Sequence, residues 1–193
     1  VQQHSELTRQ AFQAARPVAP AVLPSAPRTP LEKTRVSPVE LLDKVLALTA
    51  GELRVADVKV EKEIDPDVPH VWADGHQLQQ VLVNLITNAK HAMESVVGER
   101  HLSISLRRGP DQIRFRVEDS GPGIPAELVS KVFDPFVTTK SEGTGLGLSI
   151  SYGIISEHGG RIRVESPEGR GAAFTVELPI ETPASSEPVS ITA

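Results

Sequence analysis

The chain contains no cysteine. Disulfides and thiolate metal sites are therefore excluded, and the composition is compatible with a reducing cytoplasm. It has no apolar run near the roughly 18 residues of a membrane span, and no signal peptide. It lacks an excess of positive charge. A formal net charge of -5 gives bulk electrostatics no reason to hold nucleic acid. It begins at Val1 and not at Met, so a fragment of something longer is expected, and a membrane segment is allowed for in the missing part. Aromatics are scarce, with five Phe, one Tyr and one Trp. Two of those Phe nonetheless stand three apart in "FDPFVTTKSEGTGLGLSI", beside a stretch too polar and glycine-rich to pack.

What is present suits an ordinary globular domain with a linker or tail: 193 residues, 39% apolar and 23% charged, with no internal repeat. Residues 1–16 lack Gly and Pro and space Leu7, Ala11, Phe12 and Ala15 as a short helix or helical remnant. Prolines 17, 20, 24, 27 and 30 then fix φ and remove amide donors, so 17–35 reads as an extended linker. The folded domain is expected over 36–180. The Ser-, Pro- and Thr-rich tail, 181–193, is expected to be disordered.

Ser37-Pro38-Val39-Glu40 has the form of a helix start, with Leu41, Leu42, Val45, Leu46 and Leu48 expected inward. Val58, Val60 and Ile64 mark a strand in which Lys62 breaks the apolar alternation. Asp74 can cap a long helix from Gly75 to about Val97, with Leu78, Val81, Leu82, Leu85, Ile86, Ala89 and Met93 in one stripe. Residues 101–107 and 112–118 alternate across "RGPDQ" and read as a hairpin. A short helix is expected after Pro125, and another from about Leu146 to Glu157, stopped by Gly159-Gly160. "RIRVES" and "AAFTVELP" read as closing strands. The expected fold is α+β: a two-layer sandwich whose mixed, mostly antiparallel sheet carries about three helices on one face.

Three places carry chemistry. Asn84 and Asn88 are four apart on the long helix and share a face beside its apolar stripe. The plainer explanation is that both amides cap backbone groups. A pair inside an apolar helix instead suits a magnesium ion already held by phosphate oxygens. "VEDSGPGIP" runs a strand into Asp119, then Gly121 and Gly123. It could be a plain strand-exit turn. It also places an acceptor-only carboxylate where an exocyclic amine such as adenine's could meet it. "GTGLGLSI" sets Gly143, Gly145 and Gly147 before a helix, where free amides and the helix dipole favour phosphate.

These elements, in this order, resemble the catalytic ATP-binding domain of sensor histidine kinases, within the wider group of HSP90, the gyrase ATPase subunit and MutL. "NLITNAKHAM" is similar to that family's Asn box, "DSGPGIP" to its first glycine box, "FDPF" to its Phe box and "GTGLGLSI" to its second. The form "DPFVTTK…GTGLGLSI" is most similar to the nitrogen-regulation, NtrB-like branch. The likeness spans roughly Ser37 to Pro179.

The resemblance implies an ATP-dependent protein histidine kinase. With Mg·ATP bound, it would phosphorylate a histidine on a helical dimerisation domain, missing or in trans, for relay to a response-regulator receiver. The parent would be a homodimer. Asn88 would ligate Mg²⁺, Asn84 one turn earlier would support the phosphates, and Asp119 would bond the adenine amine in a pocket shaped by Gly121 and Gly123, with Ile124 beside them. Phe133 and Phe136 would anchor a mobile lid. Thr138, Thr139 and Lys140 would be lid contacts, Lys140 offsetting phosphate charge. Backbone at Gly143, Thr144, Gly145, Leu146 and Gly147 would take the triphosphate.

His91 stands where many members carry Lys, and its approach to phosphate is left open. His4 lacks the following proline of a phosphoacceptor motif, and His158 reads as a helix-end residue. An ATPase, an anti-sigma-type serine kinase and a nucleotide-holding module without transfer remain alternatives. Asn84 stands where the ATPases carry a water-activating Glu.

Overall fold

The computed structural model describes residues 31–138, 143–167 and 169–180. Strand β1 (Thr34–Val36) pairs antiparallel with β3 (Val71–Ala73). A second sheet has five strands: β2 (Val58–Ile64), β4 (Arg100–Arg108), β5 (Gln112–Asp119), β6 (Arg161–Glu165) and β7 (Ala173–Pro179), in the order β2-β4-β5-β7-β6. Only β2 and β4 run parallel among its pairs. Helices α1 (Pro38–Val55), α2 (Gly75–Met93), α3 (Ala126–Val129) and α4 (Gly147–Glu157) complete the described elements. The expected α+β architecture is the observed one.

The long helices start as their sequences dictate. Ser37 Oγ accepts the Glu40 N–H at 3.3 Å, with Pro38 in the first turn of α1. Asp74 Oδ1 accepts from His76 and Gln77 amides at 3.0 and 3.1 Å to open α2. The predicted stripe of α2, from Leu78 to Met93, is wholly buried. It packs with Leu42, Leu102, Ile104, Phe115 and Ile155 into one apolar core. Each such side chain contributes about 2 kcal/mol of transfer free energy, before the entropy of ordering it. α2 therefore stands fixed by one face while its adjoining face is left for chemistry.

Several local expectations need correction. Leu48 is 58% exposed and does not enter the core. The buried seam of α1 follows steps of four (Leu41, Val45, Thr49, Leu53), so Thr49 takes the inward place. Its hydroxyl is satisfied by the Val45 carbonyl at 3.0 Å. α2 stops at Met93, short of Val97. Beyond it, the Arg100 guanidinium collects the Ala56, Glu94 and Val96 carbonyls at 2.7, 3.2 and 3.3 Å, holding the chain off the helical path. Strands β1 and β3 have three residues each, too few to show an alternation, and β1 begins inside the stretch read as linker. Lys62 does lie on the inner face, in register with Ile104. It escapes burial at the sheet edge by reaching Asp43 of α1 at 2.7 Å.

Two contacts tie the far helix to the near one. His158, buried at the end of α4, receives the Asp74 N–H on Nε2 at 2.9 Å. Its Nδ1–H donates to the Ile154 carbonyl at 2.8 Å, which fixes the tautomer. His158 is thus a helix-end residue, as its sequence context suggests, and it locks α4 to the start of α2. Residues 1–30, with His4, and 181–193 lie outside the described residues.

Candidate functional site

A cleft of about 840 Å³ opens between α2, the end of β5 with the loop after it, α3, and the start of α4. Asn84, Thr87, Asn88 and His91 line it from α2, which is the face that the apolar stripe leaves over. Asp119, Gly123 and Ile124 line it from the strand exit. Val137, Thr138, Gly143, Thr144 and Gly145 line it from the segment before α4, and Gly147 and Leu148 from α4 itself. The volume suits a mononucleotide-sized ligand.

At one end sit the two asparagines, both half-buried. Their side-chain amides bond side chains. Asn84 donates through Nδ2 to Ser151 Oγ at 3.0 Å, and Asn88 Nδ2 reaches Asn84 Oδ1 at 3.4 Å. Ser151 in turn donates to the Gly147 carbonyl at 3.0 Å. A Cβ on Gly147 would overlap Asn84 Oδ1, so the first residue of α4 is glycine because α2 presses against it. Among the described residues no side chain caps α4, whose first two residues line the cleft; just before it the Leu146 N–H reaches Thr144 Oγ1 at 3.4 Å. Such an end attracts an anion.

At the other end, Asp119 is only 5% exposed at the end of β5. Its Oδ1 accepts the Gly121 N–H at 2.8 Å and the Ala172 N–H at 3.4 Å. Among the described residues no further hydrogen bond reaches this carboxylate. Burial pushes its pKa up, and the Gly121 and Ala172 amides pull it back in part. A buried carboxylate with one oxygen committed and the other open is an acceptor waiting for a donor.

The aromatic pair splits. Phe133 is half-buried and stacks at 5.7 Å on Tyr152 and edge-on at 6.4 Å on Phe174. Phe136 is 69% exposed with φ 67°, so among the described residues its ring is not packed as the expected joint anchor would be. Its backbone does the holding, since the Phe136 N–H donates to the Gly145 carbonyl at 2.9 Å. The physical reason is the left-handed φ, which swings the side chain away from the core to let the chain turn.

The structure therefore brings Asn84, Asn88, His91, Asp119, Gly123, Ile124, Thr138, Gly143, Thr144, Gly145 and Gly147 to one cleft. Gly121 does not line the cleft but orients Asp119, Phe133 packs on Tyr152 outside the lining, and Leu146 stands at the N-cap of α4 without lining the cleft. Thr139 and Lys140 lie outside the described residues. His91 is 38% exposed at the rim, with Glu94 Oε1 3.9 Å away. Sequence reasoning missed Thr87, Ser95 and Ala172 in the lining and Gly171 behind it. Thr87 sits between the two asparagines and was open to being found by helical spacing. Gly171 and Ala172 come from a distant hairpin and carried no local signal.

No described helix is long and apolar enough to cross a membrane. A family profile described as histidine kinase-, DNA gyrase B- and HSP90-like ATPase matches residues 73–182. Sensor histidine kinase ZraS of Escherichia coli K12 is 36% identical over 141 residues, 72% of this chain and 30% of ZraS. Sensory histidine kinase/phosphatase NtrB of Rhizobium leguminosarum bv. phaseoli is 35% identical over 174 residues, 83% of this chain and 45% of NtrB. The chain thus spans less than half the length of these curated relatives. The solved catalytic domain of histidine kinase ThkA is 39% identical with TM-score 0.69, covering 77% of this chain and 96% of that domain. ShkA in complex with AMPPNP gives 28% and 0.71, covering 80% of this chain and 32% of ShkA. ThkA in complex with response regulator TrrA gives 31% and 0.67, covering 93% and 48%.

Proposed function

The chain belongs to the family of histidine kinase-, DNA gyrase B- and HSP90-like ATPases, and from that premise we propose that residues 36–180 are the catalytic ATP-binding domain of a sensor histidine kinase. The domain binds ATP in the cleft and offers its γ-phosphoryl group to a histidine on a helical dimerisation domain. A response-regulator receiver then takes the group from that histidine. The domain works in the cytoplasm, and the parent protein acts as a homodimer. One observation carries the reading: a single cleft joins a buried carboxylate suited to an amine with an uncapped helix start suited to phosphate, at opposite ends.

Asp119 accepts from the adenine amine, with Gly123 and Ile124 beside it, and Gly121 holds the carboxylate. Amides from Gly143 to Gly147, with Thr144, receive the phosphates. Thr138, Thr139 and Lys140 approach from the lid, and His91 stands at the rim. The residues present fit a magnesium ion that arrives on the nucleotide. Among the described residues no group of three or more His, Cys, Asp or Glu could hold a metal alone, so phosphate oxygens must supply most ligands. Asn88, whose Nδ2 is turned to Asn84, contributes Oδ1. When bound, the ion neutralises phosphate charge, which is most of what a loose phosphoryl-transfer transition state asks for.

Hydrolysis is disfavoured. A water-activating base would be needed one turn before Asn88, and that place holds Asn84, a neutral amide committed to Ser151 and pressed on Gly147. A histidine acceptor carries its own lone pair and needs no such base. The direct test supplies γ-labelled Mg·ATP with and without a histidine-bearing helical domain from a compatible kinase. Acid-labile, base-stable label on the added domain is expected. Free phosphate released without any labelled protein would overturn transfer in favour of hydrolysis.

A further inference from the structure

The tip of the β6–β7 hairpin lies far in sequence from every residue assigned above, yet it is stitched to the loop behind Asp119. Ser166 Oγ accepts the Ile124 N–H at 2.7 Å and donates to the Gly171 carbonyl at 2.9 Å. One hydroxyl thus bonds the loop after β5 on one side and its own hairpin on the other. Gly123, at φ 84°, would bring a Cβ to 3.0 Å from that hydroxyl and 3.2 Å from the Gly171 carbonyl. On the opposite side of the same tip, the Asp119 N–H donates to the Ala172 carbonyl at 3.0 Å, and the Ala172 N–H reaches Asp119 Oδ1 at 3.4 Å. The carboxylate therefore has its angle set by two loops at once, and Ser166 is the side chain that joins them.

We propose that Ser166 is a positioning residue for nucleobase selectivity: it sets the Gly121–Ile124 loop against the last hairpin so that Asp119 presents its open oxygen to an amine at one fixed angle. This rests on the assignment of Asp119 to the base. Ser166 does not line the cleft and touches no ligand, so its action is through Ile124 and Gly171. Loss of the hydroxyl leaves the Ile124 N–H without its partner and lets the two loops slide. A base carrying an amine should then lose its advantage over one carrying a carbonyl at the same place, while the triphosphate end is untouched.

The test compares Mg·ATP, Mg·ITP and inorganic triphosphate as ligands of the chain in its wild-type form and as Ser166→Ala, Ser166→Cys, Ser166→Thr and Asp119→Asn. ITP replaces the adenine amine by a carbonyl. The wild type should prefer ATP. Ser166→Ala should lower that preference about five- to tenfold, with triphosphate affinity unchanged. Ser166→Thr, which keeps the hydroxyl, should restore it. Should Ser166→Ala fold poorly, as thermal melting will report, Ser166→Cys keeps the volume with a much weaker acceptor and should show the same loss. If both variants retain the full ATP-over-ITP preference while Asp119→Asn abolishes it, the positioning role is wrong and the base assignment stands. If Asp119→Asn also keeps the preference, the base assignment itself falls.

Discussion

At one end of the cleft Asp119 is 5% exposed and bonded by two backbone amides. At the other, the first turn of α4 has no side-chain cap among the described residues, and Phe136, well upstream of it, is 69% exposed with φ 67°. The Asp119 end, proposed to take the base, is assembled by the fold before any ligand arrives: two loops, a strand end and a hairpin tip bond to one another. The end proposed for the phosphates has a helix start that no described side chain caps, lined by side chains from α2 and the segment before α4. Preorganisation at the base end costs stability in the free chain, since a carboxylate is buried there. The phosphate end leaves its final arrangement to the ligand. Selectivity should therefore depend on residues that also matter for folding at one end, and on residues that do not at the other.

The largest effect should come from the base end. A Cβ on Gly171, at φ 77°, would run into the Asp119 carbonyl oxygen, which is backbone and cannot swing aside. Gly171→Ala should cost about 4 kcal/mol or more of stability, read as loss of the cooperative denaturation transition at 37 °C. If it melts within a few degrees of wild type, the base end is not the rigid assembly described.

Asn88→Ala tests the other end. The residue is half-buried on a helix whose packing stripe it does not join, and alanine is a better helix former. The fold should survive with its melting temperature nearly unchanged, while Mg-dependent ATP binding falls about 100-fold or more by calorimetry. Retained Mg·ATP binding would remove Asn88 from the metal.

Asp119→Asn should do less to binding and something unusual to stability. It should weaken ATP about tenfold and leave inorganic triphosphate unaffected. Burial raises the Asp119 pKa above its unfolded value. Between those two values the folded chain keeps a proton that the unfolded chain has released. The stability linked to Asp119 is thus full below the unfolded pKa and is lost as pH rises through the folded one. At neutral pH the ligand-free Asn variant should be more stable than wild type. That advantage should shrink as pH falls toward the ordinary aspartate range. A variant less stable than wild type at pH 7 would contradict the stated cost of burying the charge.

The same contrast explains what the sequence could disclose. The stripe of α2, the Asn pair one turn apart and the glycines before α4 are local patterns, each set by helix geometry. They were legible because period and capping act over a few residues. The clasp at the base end was not legible, because Ser166 and Gly171 meet the Asp119 loop across intervening helices and strands. In isolation "ESPEGRG" is only a hairpin turn. Strands β1 and β3 stayed hidden for a different reason: three residues make no alternation, and their pairing is settled by position next to Asp74 and not by composition. Leu48 went astray because an apolar residue one step off a four-residue seam looks the same on paper as one inside it.

The smallest effect should be found at Phe136, and it separates the two phenylalanines that the sequence presents as a pair. Phe133 packs on Tyr152 and Phe174, so Phe133→Ala should cost about 2 kcal/mol, less than a fully buried ring. Phe136 offers little burial to lose and sits in a backbone region that bulky residues avoid. Phe136→Gly removes that strain while keeping the amide that donates to the Gly145 carbonyl. The ligand-free domain should therefore be unchanged or more stable by about 0.5 kcal/mol, set against the added freedom of a glycine in the unfolded chain. A loss of more than about 1 kcal/mol in chemical denaturation would mean that the exposed ring is holding the segment before α4 after all. The backbone hydrogen bond would then be a consequence of that hold and not its cause.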